Sequence, residues 1–441
     1  MTVQLCDSRV HLHRRTLLQA GVGAGFLSSI AQRLAVADEN NKKRRHLEGR
    51  HRPKNVILLW MEGGPSQLET FDPHPGSLTG GDVQAIKTST EGLEISELLP
   101  QTAEMMHLTS LVRSVTTKEG DHERAVYNVK TGFRPDPTLK HPSIGAILCH
   151  ADQRGGDIPR HVSILPGQWP SRGGYLGPAL DAFQTGDPAN PVPDITSSVS
   201  QPRLRRRIDD LQNIVDREFY RGRLSGIEQN RTLHRELTAS AMTMMSSEQL
   251  DAFDVTSLPT SELEAFGDTP FGRGCLAATQ LVQAGVRCVE VTLSGWDTHA
   301  ANHSFHETKC ATLDPALASL LKRLDEQDQL DNTLVVWAGE FGRTPRINPA
   351  EGRDHWPHGF SVLLAGCGIR AGHVMGKTAA DPPADFNGDD LSKVVENPVG
   401  IEDLHATILH ALDLEHDHEL ETSIGRPMKR SEGRILKELL A

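Results

Sequence analysis

Residues Asn55 to Ser66 read NVILLWMEGGPS, an unbroken apolar run from Val56 to Met61 closed by an acid, two glycines and a proline. An apolar run without alternation suits a strand covered on both faces, as in a parallel sheet. The Gly63-Gly64 pair lets the chain turn sharply and lets backbone approach an anion closely. Ligands of open α/β sheets bind beyond the carboxyl ends of the strands, so Glu62, Gly64 and Ser66 fall where a site forms. A plain turn with Glu62 as a surface charge fits the same residues equally well.

Working outward, further short apolar runs predict strands at Leu111–Val115, Val162–Leu165, Cys288–Leu293, Thr333–Ala338 and Ser361–Ala365. Between them, apolar residues three and four apart predict helices at Ser143–Ala151, Phe271–Ala284, Thr308–Gln327 and Glu402–Leu412. Strands alternating with helices give an α/β class, with a mostly parallel sheet and helices on both faces. Residues 166–265 break the rhythm. Pro, Gly and Ser dominate its first part, and two charged helical stretches follow, Arg203–Tyr220 and Ile227–Met245, with no strand signal. The expectation is one domain over 55–441 with an inserted, mainly helical cap at 166–265. The basic start of the first stretch (Arg203, Arg205, Arg206, Arg207) reads as a solvated helix face.

The N-terminus carries Arg14-Arg15, a Gly-rich apolar run to about Ala31, and Ala35-Val36-Ala37 before Asp38. Paired arginines ahead of a weakly hydrophobic segment and a small-residue cleavage site describe a twin-arginine export signal over 1–37. Its apolar run falls short of a bilayer span, as does every later stretch, so no membrane span is expected in the mature chain. A charged tether follows at 38–54. Export by this machinery delivers folded protein to the periplasm or beyond, which suits a chain that takes up metal first. The formal net charge of −12 argues against a nucleic-acid partner. Five of the six cysteines lie beyond the signal without CxxC spacing, which excludes a Cys-rich zinc site.

Three more motifs sit beside predicted strands. Gly295-Trp296-Asp297-Thr298-His299, with His303 and His306 behind it, gathers a carboxylate and imidazoles suited to first-row metals. Gly339-Glu340-Phe341-Gly342-Arg343 offers a carboxylate and a guanidinium, either for an anionic substrate or as a loop-bracing ion pair. Gly352-Arg353-Asp354-His355-Trp356-Pro357-His358 is the densest cluster of potential ligands. The candidate metal ligands are Glu62, Asp297, His299, His303, Glu340, Asp354, His355 and His358, with Gly64 and Arg353 for substrate. Joined at one sheet edge, two divalent ions (zinc, calcium or manganese) would polarise a phosphoryl or sulfuryl oxygen.

Together the twin-arginine start, GGPSQLETFDP, GWDTH, GEFGRTP and GRDHWPHG resemble the exported bacterial family called domain of unknown function 1501. That family is similar to a distant branch of the alkaline phosphatase and sulfatase superfamily. The resemblance runs from about Asn55 to Leu414 and implies an alkaline-phosphatase-like core with two metals. Glu62-Gly63 stands where the superfamily has Asp-Gly, and Glu340-Phe341-Gly342 stands where it has Asp-His-Gly. His358-Gly359-Phe360 resembles the His-Gly-Tyr of phosphodiesterases, and Asp297 with His299 or His303 resembles the Asp-and-His metal pair. Nine residues before Thr131-Gly132, where the superfamily carries its nucleophile, this chain has His122. That imidazole suits either metal binding or phosphoryl transfer, and Ser66, Thr116 and Thr117 are alternative nucleophiles.

The function expected is hydrolysis of sulfate or phosphate esters on a small molecule or polysaccharide, with Ser66, His122 and Arg343 catalytic. Two alternatives stand beside it: a degenerate member that binds an anion without turnover, and a structural envelope protein.

Overall fold

A computed structural model of the chain describes residues 54–152, 156–220, 237–422 and 424–441. The export signal expected over 1–37, nearly all of the tether and residues 221–236 lie outside the described residues. The described residues belong to one unit, Arg52–Ala441.

The apolar run that opened the reading forms β1, Asn55–Glu62, at the centre of a nine-stranded sheet. In chain order the other strands are β2 (Thr109–Thr116), β3 (His161–Ile164), β4 (Phe183–Thr185), β5 (Cys288–Ser294), β6 (Thr333–Ala338), β7 (Phe360–Ala365), β8 (His373–Met375) and β9 (Val399–Gly400). Across the sheet the order is β8-β2-β7-β6-β1-β5-β3-β4, with β9 also paired to β2. Only β7 runs against its neighbours; the remaining pairings are parallel. The expected mostly parallel sheet is therefore present, with one antiparallel strand in its interior.

Alternate residues of β1 feed two cores, because successive side chains of a strand point to opposite faces. Ile57, Leu59 and Met61 join Cys275 and Leu281 of one helix (Pro270–Gln283) and Leu313, Leu317 and Leu320 of another (Asn302–Glu326). Val56, Leu58 and Trp60 join Val126 and Val129, Ile144 and Ile147, and Leu404 and Ile408 from helices His122–Thr131, Ile144–Ala151 and Ile401–Ala411. Helices cover both faces, as the pattern required. The cysteines Cys149, Cys275, Cys288, Cys310 and Cys367 are buried free thiols, placed as small apolar residues.

The segment 166–265 differs from its expected form. Phe183–Thr185 is a strand that extends the sheet beyond β3, although only three residues long and flanked by turn residues. Val192, Met244, Phe253 and Val255 enter the main core. A helix does form at Gln201–Tyr220.

Parallel pairing fixes where chemistry collects. Glu62 lies opposite Ser294 and Trp60 opposite Ala338, so β1, β5 and β6 release their chains at one edge. The antiparallel β7 begins at that edge, and β2 ends there.

Candidate metal centre

Two loops at this edge can meet only through a glycine. Gly63 has φ +112°, and a Cβ there would lie 2.5 Å from the Asp297 nitrogen and 2.8 Å from Trp296 backbone atoms. Gly64, at φ +77°, is similarly enclosed by Phe341. The Trp296 N–H donates to the Glu62 carbonyl at 3.1 Å, so the loops after β1 and β5 run side by side. A two-residue ladder sets His355 opposite Arg343, and the Arg353 N–H donates to the Thr298 carbonyl at 3.0 Å. These links bring the Asp297, Glu340 and His355 motifs together.

At their meeting point the Asp297 Oδ1 is 3.1 Å from His299 Nε2 and 3.2 Å from His355 Nε2. The two imidazole nitrogens are 3.0 Å apart. His299 Nδ1 faces Asp354 Oδ1 at 2.7 Å, and His355 Nδ1 faces the Gly120 carbonyl at 2.8 Å. Both of those partners only accept, so each Nδ1 carries a hydrogen, and in the neutral imidazole that tautomer leaves Nε2 with its lone pair toward Asp297. Three lone-pair atoms thus converge, an arrangement that calls for a cation. Ligands about 2.1 Å from a tetrahedral ion stand about 3.4 Å apart, a few tenths of an ångström wider than the spacings here. The donor set fits a borderline divalent metal such as zinc.

His122 completes the cluster. Its ring lies with Asp297 and His355 in a group whose ligand atoms are all within 4.8 Å of one another. Asp121 caps the helix that begins at His122 by accepting the Arg124 N–H, and Gly132 closes it at φ +80°. His122 Nε2 is 3.4 Å from Asp297 Oδ2, and its Nδ1 donates to Glu340 Oε1 at 2.9 Å. Glu340 is fully buried, also accepts the Gly63 N–H at 2.8 Å, and leaves Oε2 without a partner. A carboxylate behind an imidazole fixes its tautomer and raises its basicity. The hydrogen bond to Glu340 raises the His122 pKa, with the charges of Glu340 and Asp297 adding to it against partial burial. Burial lowers that of His355, which keeps the ring neutral. Burial also pushes the Asp297 carboxyl upward, but the hydrogen bond and charge of Arg343 prevail and hold it at about 2.

Other expected site residues stand elsewhere. Arg343 is fully buried: Nε donates to the Gly64 carbonyl, Nη1 to that of Arg353, and Nη2 to the Gly63 carbonyl and Asp297 Oδ1. It positions Asp297 and has no exposed atom for an anion. Arg353 is likewise fully buried, bound to Glu69 Oε1 and to the carbonyls of Thr344, Pro345 and Thr79. Ser66 has no exposed surface, and its hydroxyl is engaged away from the cluster, accepting the Leu68 N–H at 3.3 Å and hydrogen-bonding the Glu69 carboxylate, while its N–H donates to His306 Nε2. Thr117 Oγ1 is spent on Asn128, and Thr116 Oγ1 faces the Val399 carbonyl. Glu62 accepts from the Gln168 N–H and Ser294 Oγ. His303 pairs with Glu307 at 3.7 Å, and His358 packs edge-on against Trp356 and Phe386. Asp354 orients His299 from outside the three-atom convergence.

Sequence reading missed Gly120, whose carbonyl alone matters, and Trp169, whose ring stacks on His122 at 6.3 Å. Residues 53–440 match the model of a family described as "Protein of unknown function (DUF1501)". No curated protein matches the sequence. Among solved structures, the chain is similar to a protein in the alkaline phosphatase superfamily from Vibrio parahaemolyticus (14% identity, 88% of this chain and 71% of that one, TM-score 0.37). It is also similar to the PsFucS1 sulfatase from Pseudoalteromonas sp. (14%, 93% and 75%, TM-score 0.39). A third is the lipoteichoic acid synthase LtaP from Listeria monocytogenes (10%, 83% and 74%, TM-score 0.38).

Proposed function

The chain belongs to the DUF1501 family, and from that footing we propose that it is an exported, metal-dependent hydrolase of sulfate or phosphate esters. One observation carries the reading: Asp297 Oδ1, His299 Nε2 and His355 Nε2 lie within 3.0–3.2 Å of one another. Asp297, His299 and His355 would hold the ion, and three protein ligands are the pattern of catalytic rather than structural zinc sites. A divalent ion held there would supply Lewis acidity toward the ester oxygen and activation of the attacking water. One ion satisfies this donor set, whereas the superfamily resemblance implied two.

The chain's own groups do the rest. Arg343 fixes the Asp297 carboxylate, and Asp354 and the Gly120 carbonyl aim the two imidazoles. His122, held as a proton carrier by Glu340, gives its Nε2 proton to the departing ester oxygen. With Ser66 buried, water rather than a protein hydroxyl is the attacking group. The ester class rests on the resemblance of the sheet-edge motifs to the alkaline phosphatase and sulfatase superfamily. Export rests on Arg14-Arg15 and the residues after it, and no helix of the described residues is long and apolar enough to cross a membrane.

The test is turnover of chromogenic sulfate and phosphate esters by metal-loaded protein. Asp297→Ala should reduce it about a hundredfold or more. Equal turnover by both proteins would remove this site from the reaction.

A further inference from the structure

Beside the metal centre lies a cavity of about 250 Å³, and we propose that it receives an uncharged sugar ring of hexose size, the alcohol part of the ester. This rests on the hydrolase reading above and names the substrate class of that same site. The cavity is smaller than the roughly 300 Å³ at which drug-sized ligands begin to be held, so it takes one ring and not an oligomer.

The walls are the partly exposed rings of Tyr127 and Trp169 with Pro170, and the rim carries Glu123, Lys140 and Arg172. Flat apolar faces inside and hydrogen-bonding groups at the rim match a sugar, which has an apolar face and a hydroxylated edge. The charges balance. Arg172 is paired with Asp181 at 3.1 Å, while Glu123 and Lys140 oppose each other in sign. A neutral ring is therefore favoured over an acidic one.

Trp169 borders both the cavity and the centre: it lines the cavity, and its ring lies parallel to that of His122, with centroids 6.3 Å apart and 12° between planes. The Trp169 segment is fixed before any ligand arrives. Lys130, buried against Glu290 at 2.9 Å, donates to the Trp169 carbonyl at 2.8 Å. Glu62 accepts the Gln168 N–H at 2.6 Å, which gives this sheet-edge carboxylate a positioning role. A preorganised wall costs little on binding.

Saturation-transfer NMR on the full chain, with methyl β-glucopyranoside and methyl β-galactopyranoside as probes, reads ring binding without turnover. At least one hexoside should bind the wild-type protein. Trp169→Ala should weaken it about tenfold, and the exposed Lys140→Ala about threefold. Asp297→Asn should bind the hexoside as wild type does, so a failed hydrolase reading would show as lost turnover with ring binding intact. Absence of hexoside binding, binding unaffected by both cavity variants, tighter binding of glucuronate, or binding of 4-nitrophenol in place of hexosides would each overturn the proposal.

Discussion

Gly63→Ala should damage both stability and metal binding, because the glycine is where two site loops touch. Its φ of +112° is strained for any residue with a Cβ, and that Cβ would lie 2.5 Å from the Asp297 nitrogen. The left-handed backbone costs about 1–2 kcal/mol. Overpacking against rigid backbone adds about 1–3 kcal/mol, so the total is about 2–5 kcal/mol. Relief requires the Trp296–Asp297 backbone to move away, which separates Asp297 from the two imidazoles. Gly76→Ala supplies the control, since Gly76 also has a positive φ (+79°) but nothing within 4 Å of its added Cβ. It should lose only the backbone part and keep its metal affinity. Urea unfolding at matched pH gives the stabilities, and calorimetric zinc titration gives the affinities. If Gly63→Ala matches Gly76→Ala in both measurements, the loops do not depend on that close approach.

Arg343→Met leaves the buried side of Asp297 without its cation and the Gly63 and Gly64 carbonyls without a donor, so urea unfolding should show a loss of about 3–5 kcal/mol. Lys130→Met strands Glu290, which is fully buried in mid-strand, and should cost about 3–5 kcal/mol, whereas Lys130→Met with Glu290→Gln should recover most of it; equal losses in single and double variants would dissolve the pairing. Burial holds His306 and His405 at pKa values of about 4, so the folded state keeps them neutral while the unfolded chain protonates them near 6.5. Stability is therefore complete above pH 6.5 and falls as pH drops toward 4, by up to about 3 kcal/mol for each ring. His306→Gln should flatten that slope in pH-dependent urea melts, and an unchanged slope would contradict the assignment.

The sheet was legible because continuous apolar runs such as Val56–Met61 and Leu334–Ala338 have one comfortable home, a strand buried on both faces. Strand β4 escaped because Phe183–Thr185 is too short to show a period, and pairing with β3 creates it. Three motifs at strand ends did converge, since parallel pairing puts such ends on one edge. Orientation was the invisible part. His303 and His306 both follow Asp297 closely, yet the helix beginning at Asn302 turns His303 toward Glu307 and His306 inward to the Ser66 N–H. Three residues along a helix the direction has turned by about 300°, so the two rings point about 60° apart from levels about 4.5 Å apart along the axis, and closeness in sequence does not place a ligand. Arg343 and Arg353 looked like anion binders because their type suits anions, and only burial reveals that carbonyls and carboxylates have consumed their donors. Lys130 and Glu290, distant in sequence, carried no local sign of partnership. Trp169 lay in a Pro- and Gly-rich stretch with no periodicity to interpret.

The claim on which the account stands is that Asp297, His299 and His355 share one cation. X-ray absorption spectroscopy of zinc-loaded protein, alongside anomalous diffraction from the same preparation, measures this directly. The expected result is one ion with nitrogen and oxygen neighbours at about 2.0–2.1 Å, located between His299 Nε2, His355 Nε2 and Asp297 Oδ1. An ion bound by other residues, or zinc coordinated by water alone, would contradict the account.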